Sequence, residues 1–263
     1  MKTITLTTDY GLSDWYSAAL KGVIGGIAPD AQVIDVTHDI EAHDVQHAAF
    51  VLARIWPCFR PGTIHVAVVD PGVGTTRRIL AGMYSGQFLV APDNGLAGFV
   101  HVEQECQALH VVQNARYFLP NVSSTFHGRD IMAPVAAHLA NGVALESFGP
   151  QTESVRLLDV PARAAAVAGG LQGRVIYVDR FGTLVSNIGA DQITAVGGAG
   201  PAPGISVSVA SVEGLPLCST FADVPPGEVL TLIGGSGRLE VAINQGRAVD
   251  RFGRDPRIDL RRC

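Results

Sequence analysis

The sequence predicts an α/β protein in two parts: a mainly parallel α/β sandwich over residues 1–160, then a small all-β, barrel-like domain over residues 173–263, joined by a linker at 161–172. Three observations predict it. Strand-like and helix-like runs alternate through the first 160 residues, as in a parallel sheet covered on both faces. The stretch DVPARAAAVAGGLQG is small, Ala/Gly-rich and without period, which reads as a linker. From Gly173 onward only β-like runs occur, separated by Gly- and Pro-containing turns.

The elements follow in order. ITLTT (4–8) is a short strand, and Ser13 is placed to cap a helix over about residues 14 to 27 with Trp15, Ala18, Ala19 and Val23 on its apolar side. QVIDVT is a second strand, and DVQHAAFVLARIW (44–56) is a helix capped by Asp44. IHVAVVD (64–70), QFLVAPDNG (87–95) and ALHVV (108–112) are three further strands. DIMAPVAAHLANG (130–142) is a helix with Asp130 as its cap, closed by Asn141-Gly142. In the second half RVIYVD, TLVSNI, ISVSVA, VLTLIG and RLEVAIN are the strands.

Composition narrows the function classes. With 263 residues and 47% hydrophobic content the chain can bury a large core. A formal charge of −5 gives no basic footprint for nucleic acid, and Lys2 and Lys21 are the only lysines. Cys58, Cys106, Cys218 and Cys263 are far apart, neither a disulfide framework nor a zinc ribbon, which suits a reducing compartment. MKTITLTTDYG lacks the apolar core of a signal peptide and no run is long enough to span a membrane, so a soluble cytoplasmic protein is expected.

Several short stretches carry chemistry. TTDYG puts Asp9 at a strand's carboxyl end, where open sheets bind ligands, and a carboxylate can take both hydroxyls of a ribose diol. VVDPGVGTTRR lacks the endings of a P-loop or a dinucleotide fingerprint; Pro71-Gly72 suit a tight turn holding Asp70, to which Arg77 or Arg78 can return. STFHGRD offers His127 for proton handling near neutral pH, beside Gly128, which admits close approach. HDIEAHDVQH resembles a metal set, with His43 and His47 four apart, but His43 precedes the cap at Asp44 and no third ligand follows, so solvated histidines at a helix start are expected. In the β-rich half, Asp179 can take an amine, Phe181 can stack on a flat ring, and GGSG exposes N–H groups to a carboxylate. Each of these also reads as an ordinary turn in isolation.

Taken together and in order, TTDYG, VVDPGVG with Arg-Arg, APDNGL, TFHGRD, DRFGTLVSN and GSGRLEVAIN resemble the S-adenosyl-L-methionine hydroxide adenosyltransferase family, relatives of fluorinating and chlorinating enzymes. The resemblance implies hydrolysis of S-adenosyl-L-methionine by attack of water or hydroxide at the ribose 5′ carbon, giving adenosine and L-methionine. It implies no cofactor or metal, and a homotrimer whose site lies between subunits. It places Asp70, Arg77 and His127 near the attacking water, and Asp9 on the ribose diol. Asp179, Gly235 and Ser236 fall on the methionine amino-acid group, while Phe126 and Phe181 line the substrate. Thr183 stands where relatives have Asn, Asn187 belongs to the same substrate-binding stretch, and Asn244-Gln245 should meet adenine largely through backbone atoms. The halogenating relatives carry Tyr in place of Asp70, a polar residue in place of Gly128, and an insertion that this chain lacks, which argues for water as nucleophile. Two rivals make other predictions. A non-catalytic S-adenosylmethionine sensor should have lost part of the Asp70, Arg77 and His127 set, and a hydrolase built on His38, Asp39, His43 and His47 should require metal.

Overall fold

The computed structural model describes residues 2–197 and 204–262. Its contacts form two compact units, dividing between Asp159 and Val160.

The first unit is a six-stranded sheet in the order β2-β1-β3-β5-β4-β6. Strands β1 (Thr3–Thr8), β2 (Gln32–Thr37), β3 (Ile64–Val68) and β5 (Gln87–Pro92) run parallel, whereas β4 (Ile79–Tyr84) and β6 (Cys106–Val111) are antiparallel to their neighbours. Helices α1 (Tyr16–Ile27) and α4 (Ala133–Ala140) cover one face, burying Leu20, Ile24, Val135 and Ala136 against Ile4, Leu6, Ile64 and Val66. On the other face α2 (Val45–Ile55) packs on α3 (Gly98–Glu103), and Trp56 at the end of α2 lies on the His65 ring of β3 at 4.4 Å. The expected mainly parallel α/β sandwich is therefore present.

Strand β4 has no counterpart in the sequence reading, because Gly82 interrupts its pattern. A Cβ at Gly82 would come within 2.8 Å of Leu109 and 2.9 Å of Tyr84, so the glycine serves packing between strands. The signal was nonetheless there: Ser85 and Gly86 both adopt positive φ, 47° and 79°, as a two-residue hairpin requires.

Two capping expectations are corrected. Ser13 caps nothing, since α1 begins at Tyr16 and has no side-chain cap, whereas Asp44 does cap α2 by accepting the His47 N–H at 2.8 Å. Asp130 is not a cap but the middle of a π-helical turn, Gly128–Met132, that feeds α4. Pro134 explains the irregular turn. It has no N–H to offer the Asp130 carbonyl, which accepts instead from the Leu119 N–H at 2.9 Å.

The second unit is a nine-stranded sheet curled around its own core. Its order is β11 (Val212–Leu215), β10 (Ile205–Val209), β15 (Arg257–Arg262), β8 (Gly170–Val178), β9 (Leu184–Gly189), β14 (Arg238–Ile243), β13 (Val229–Ile233), β12 (Leu217–Cys218), with β7 (Ala165–Val167) on β8. The ends approach each other, β10 touching β12 and β11 touching β13, so the sheet is nearly a closed barrel. Short helices α5 (Ala190–Gly197) and α6 (Ala248–Phe252) flank it.

Residues 161–172 are not a linker. They hold β7 and the start of β8, with Ala164 and Leu171 buried in the core of this unit. The small residues there reflect close packing: a Cβ on Gly170 would collide with the Leu260 carbonyl of β15. Among the described residues no helix is long and apolar enough to cross a membrane.

Candidate active site

The parallel strands deliver the site. Asp9 follows β1 and Asp70 follows β3, its neighbour in the sheet, so both carboxylates emerge at the same edge of the first unit. There they line a cavity of about 250 Å³ with Tyr10, Tyr16, Ala42, His43, Val68, Val73, Thr125, His127 and Gly128.

The turn after β3 is tightly built. Val73 N–H bonds the Asp70 carbonyl at 3.1 Å, and the Thr75 hydroxyl bonds the Gly72 carbonyl at 2.6 Å. Gly74 has φ +78°, and a Cβ there would collide with the Ser124 carbonyl, so the turn lies directly on the loop that carries His127. The turn returns Arg77 to Asp70. Its Nε lies 2.9 Å from both carboxylate oxygens, and its Nη2 bonds Oδ2 as well. Nη2 also donates to His127 Nδ1 at 2.8 Å. The second arginine goes elsewhere: Arg78 pairs with Asp93 at 2.5 Å and bonds the Ser154 carbonyl at 2.9 Å.

Electrostatics follow from this chain. The Asp70 and Arg77 side chains are only 6% and 10% exposed, so their attraction is little screened by water. Burial first, then the positive charge of Arg77, hold the His127 pKa below its ordinary value, outweighing Asp70 and Asp130. A guanidinium can only donate, so His127 Nδ1 is the acceptor and the neutral ring carries its proton on Nε2.

Asp9 is oriented from the side. Its Oδ2 accepts the His43 N–H at 3.0 Å, and His43 adopts a left-handed φ of 68° to aim that N–H. Phe126 is buried in an aromatic cluster, edge-on to Tyr10, Trp15 and Tyr16 at 5.7, 5.5 and 5.3 Å, with Arg129 over its ring at 4.9 Å. It lines a second cavity of about 320 Å³ that shares Tyr10, Tyr16 and Thr125 with the first.

The histidine-rich stretch is only partly as expected. His38 is buried, not solvated, with Nδ1 2.8 Å from the Thr8 hydroxyl and Nε2 3.1 Å from Asp35, because it sits under the end of β1. His43 is exposed. Among the described residues no three His, Cys, Asp or Glu side chains are grouped to hold a metal ion.

In the second unit Asp179 closes the β8–β9 turn, its Oδ1 accepting the Thr183 N–H at 2.8 Å. Phe181 stands at the tip of that turn, 74% exposed, and Thr183 is buried beneath it. Gly235 and Ser236 form the β13–β14 turn, where the Ser236 hydroxyl donates to Glu240 at 3.2 Å. Burial and the charge of Asp179 push the Glu240 pKa up, against the Ser236 hydrogen bond.

Two residues expected to meet substrate have side chains that are hydrogen-bonded within the second unit. Asn187 is 1% exposed; its Oδ1 accepts from Arg174 N–H at 2.9 Å and its Nδ2 donates to the Pro161 carbonyl at 3.0 Å. Asn244 donates its N–H to the Glu228 carbonyl at 3.0 Å and its side-chain amide to the Val224 carbonyl at 2.7 Å. Gln245, exposed and left-handed at φ 56°, is the open member of that pair.

Tyr10, Tyr16, His43 and Thr125 also line the cavity, beyond the residues expected there from sequence. Tyr10 adjoins Asp9 in TTDYG, the clearest sequence signal among them, whereas the spacing of His43 and His47 points only toward a metal.

Known proteins match both halves of the chain. A family model described as the SAM hydroxide adenosyltransferase N-terminal domain matches residues 4–149, and the corresponding C-terminal domain model matches residues 173–261. The chain is 40% identical over 269 residues to an (R)-S-adenosyl-L-methionine hydrolase of Salinispora tropica, covering 98% of this chain and 96% of the relative. It is 34% identical over 260 residues to an (R)-S-adenosyl-L-methionine hydrolase of Thermus thermophilus, covering 96% of each. The crystal structure of an uncharacterized conserved protein from Thermotoga maritima superposes with a TM-score of 0.89 at 34% identity, covering all of both chains. Matched in both halves and along nearly its whole length, the chain belongs to the SAM hydroxide adenosyltransferase family.

Proposed function

We propose that this protein hydrolyses S-adenosyl-L-methionine to adenosine and L-methionine, with water attacking the ribose 5′ carbon. One observation supports this above the rest: Arg77 binds Asp70 and His127 at once, and both of these line a cavity together with Asp9.

The reaction suits such a site. A sulfonium is already an activated leaving group, so positioning and water exclusion are what the protein must supply. The water oxygen forms its bond to C5′ as the C5′–S bond breaks, and that electron pair stays on sulfur as the thioether of methionine. His127, neutral and protonated on Nε2, donates to the water and fixes its direction. Asp70 accepts the proton that the new hydroxyl sheds, since Arg77 leaves lone pairs free on its oxygens. Arg77 holds the two groups in register, and Asp9 takes the ribose hydroxyls.

Asp179, Gly235 and Ser236 grip the amino-acid end of the substrate, with Phe126, Phe181, Thr183 and Gln245 as further contacts. A homotrimer, each site completed by a neighbouring subunit, accommodates these residues and the Asp9 cavity in one reaction. No metal or other cofactor takes part.

The test is a chelator-treated incubation with S-adenosyl-L-methionine, resolved by chromatography, beside Arg77→Ala. Adenosine and methionine from the wild type alone support the reading. Bound but unconverted substrate refutes hydrolysis, and activity lost to chelator refutes metal independence.

A further inference from the structure

We propose that the hydroxyl of Tyr10 is an additional active-site group, accepting one O–H of the nucleophilic water and holding it in line with the 5′ carbon. The proposal rests on the reading that water attacks within this cavity.

Position is the first ground. Tyr10 lines the same cavity as Asp9, Asp70 and His127. A Cβ built on Gly128 would lie 2.5 Å from the Tyr10 hydroxyl oxygen and 3.2 Å from Val68 Cγ1. That oxygen therefore rests on the backbone next to His127, beside the strand end that leads to Asp70. Glycine at 128 is what leaves it room.

Rigidity is the second. The ring is wedged against Tyr16 and Phe126, each at 5.7 Å, and the Tyr10 N–H is held by the Thr8 hydroxyl at 3.2 Å. Among the described residues no group hydrogen-bonds the phenol of this half-buried tyrosine, so its oxygen is open to a water in the cavity.

The hydrogen-bond count of the nucleophile supplies the third. A water has two O–H groups and two lone pairs. One lone pair attacks carbon and the other receives His127 Nε2–H. One O–H goes to Asp70, and the remaining one needs a second acceptor. Arg77 and His127 Nε2–H can only donate, whereas a phenol oxygen accepts. Burial, with the nearby charges of Asp9 and Asp70, raises the Tyr10 pKa well above the ordinary phenol value, so the group keeps its own proton throughout.

The experiment is a double-mutant cycle of Tyr10→Phe and Gly128→Ala, measuring kcat, the substrate dissociation constant and Tm. Tyr10→Phe keeps the ring and should lower kcat by roughly 10- to 100-fold, the loss of one transition-state hydrogen bond, with affinity within about 2-fold and Tm unchanged. Gly128→Ala should displace the hydroxyl and cost a similar factor alone, yet less than about 2-fold on top of Tyr10→Phe. Unchanged kcat in Tyr10→Phe, or an equal penalty from Gly128→Ala in both backgrounds, would overturn the role. A loss confined to affinity would overturn it too, making Tyr10 a substrate contact instead. Wild type runs in parallel: if it fails to turn over, hydrolysis itself fails and the proposal with it.

Discussion

Acidification from pH 7 to pH 5 should weaken the first unit through a single buried histidine. His65 is fully buried in β3, the strand that leads to Asp70. Its hydrogen bonds leave one consistent assignment. Gln87 donates its amide N–H to the Trp56 carbonyl at 3.1 Å, so its Oε1 accepts His65 Nε2–H at 2.9 Å, and Nδ1 accepts the Thr5 hydroxyl at 2.7 Å. The ring is neutral, and burial pushes its pKa down to about 4, against the Gln87 hydrogen bond. The unfolded chain has an ordinary histidine pKa near 6.5 and so binds more protons between these values. The contribution is whole above about pH 6.5 and is lost as pH falls toward about 4. The separation of about 2.5 pH units corresponds to about 3 kcal/mol in full, of which about 2 kcal/mol disappears between pH 7 and pH 5. Both tryptophans, Trp15 and Trp56, belong to this unit, so urea unfolding followed by tryptophan fluorescence reports on it selectively. The His65→Gln variant, unfolded at the same pH values, removes this titration while other histidines keep theirs. Equal pH slopes in wild type and variant would refute the reasoning.

Three further outcomes are expected. Asp70→Asn and His127→Ala should keep affinity for S-adenosyl-L-methionine and slow turnover by at least ~100-fold, while Asp9→Ala should weaken binding; calorimetry beside kinetics checks this, and equal affinity loss in all three contradicts the division of roles. Because burial, and then Arg77, keep His127 neutral, kcat should hold steady at neutral pH and fall only below the ordinary imidazole range, as protonated Nδ1 loses the Arg77 hydrogen bond; a pH–rate profile centred at or above that range would count against it. Asn187→Ala should destabilise the second unit by about 2–4 kcal/mol, since it strands the Arg174 N–H and the Pro161 carbonyl, and should leave substrate contacts intact; calorimetric unfolding with a binding measurement separates the two.

Much of the architecture was legible because hydrophobic period and turn chemistry are local. The strands that became β1, β2, β3, β5 and β6 announced themselves by short apolar runs, and Asp44 by its place before an apolar period. Local signals misled where long-range packing sets the requirement. Gly82 and the Ala/Gly run at 161–172 looked like breaks in structure but mark close approach between strands. Asp130 had the appearance of a cap, yet Pro134 diverted its carbonyl and Arg129 and the Ser123 N–H claimed its carboxylate.

The sequence by itself determined which chemical groups are available: a carboxylate after each of two strands, two arginines past a Pro-Gly turn, a histidine before a glycine. Residue order along nearly the whole chain also determined the family. Only the tertiary structure decided which arginine serves Asp70, that His127 presents Nε2–H, that the Asn187 and Asn244 side chains hydrogen-bond within the second unit, and that Tyr10 reaches over Gly128. The reason is physical. Residue type sets what a side chain can donate or accept, whereas what it does depends on partners distant in the chain, and hydrogen bonds are satisfied only by groups the fold has brought within about 3 Å.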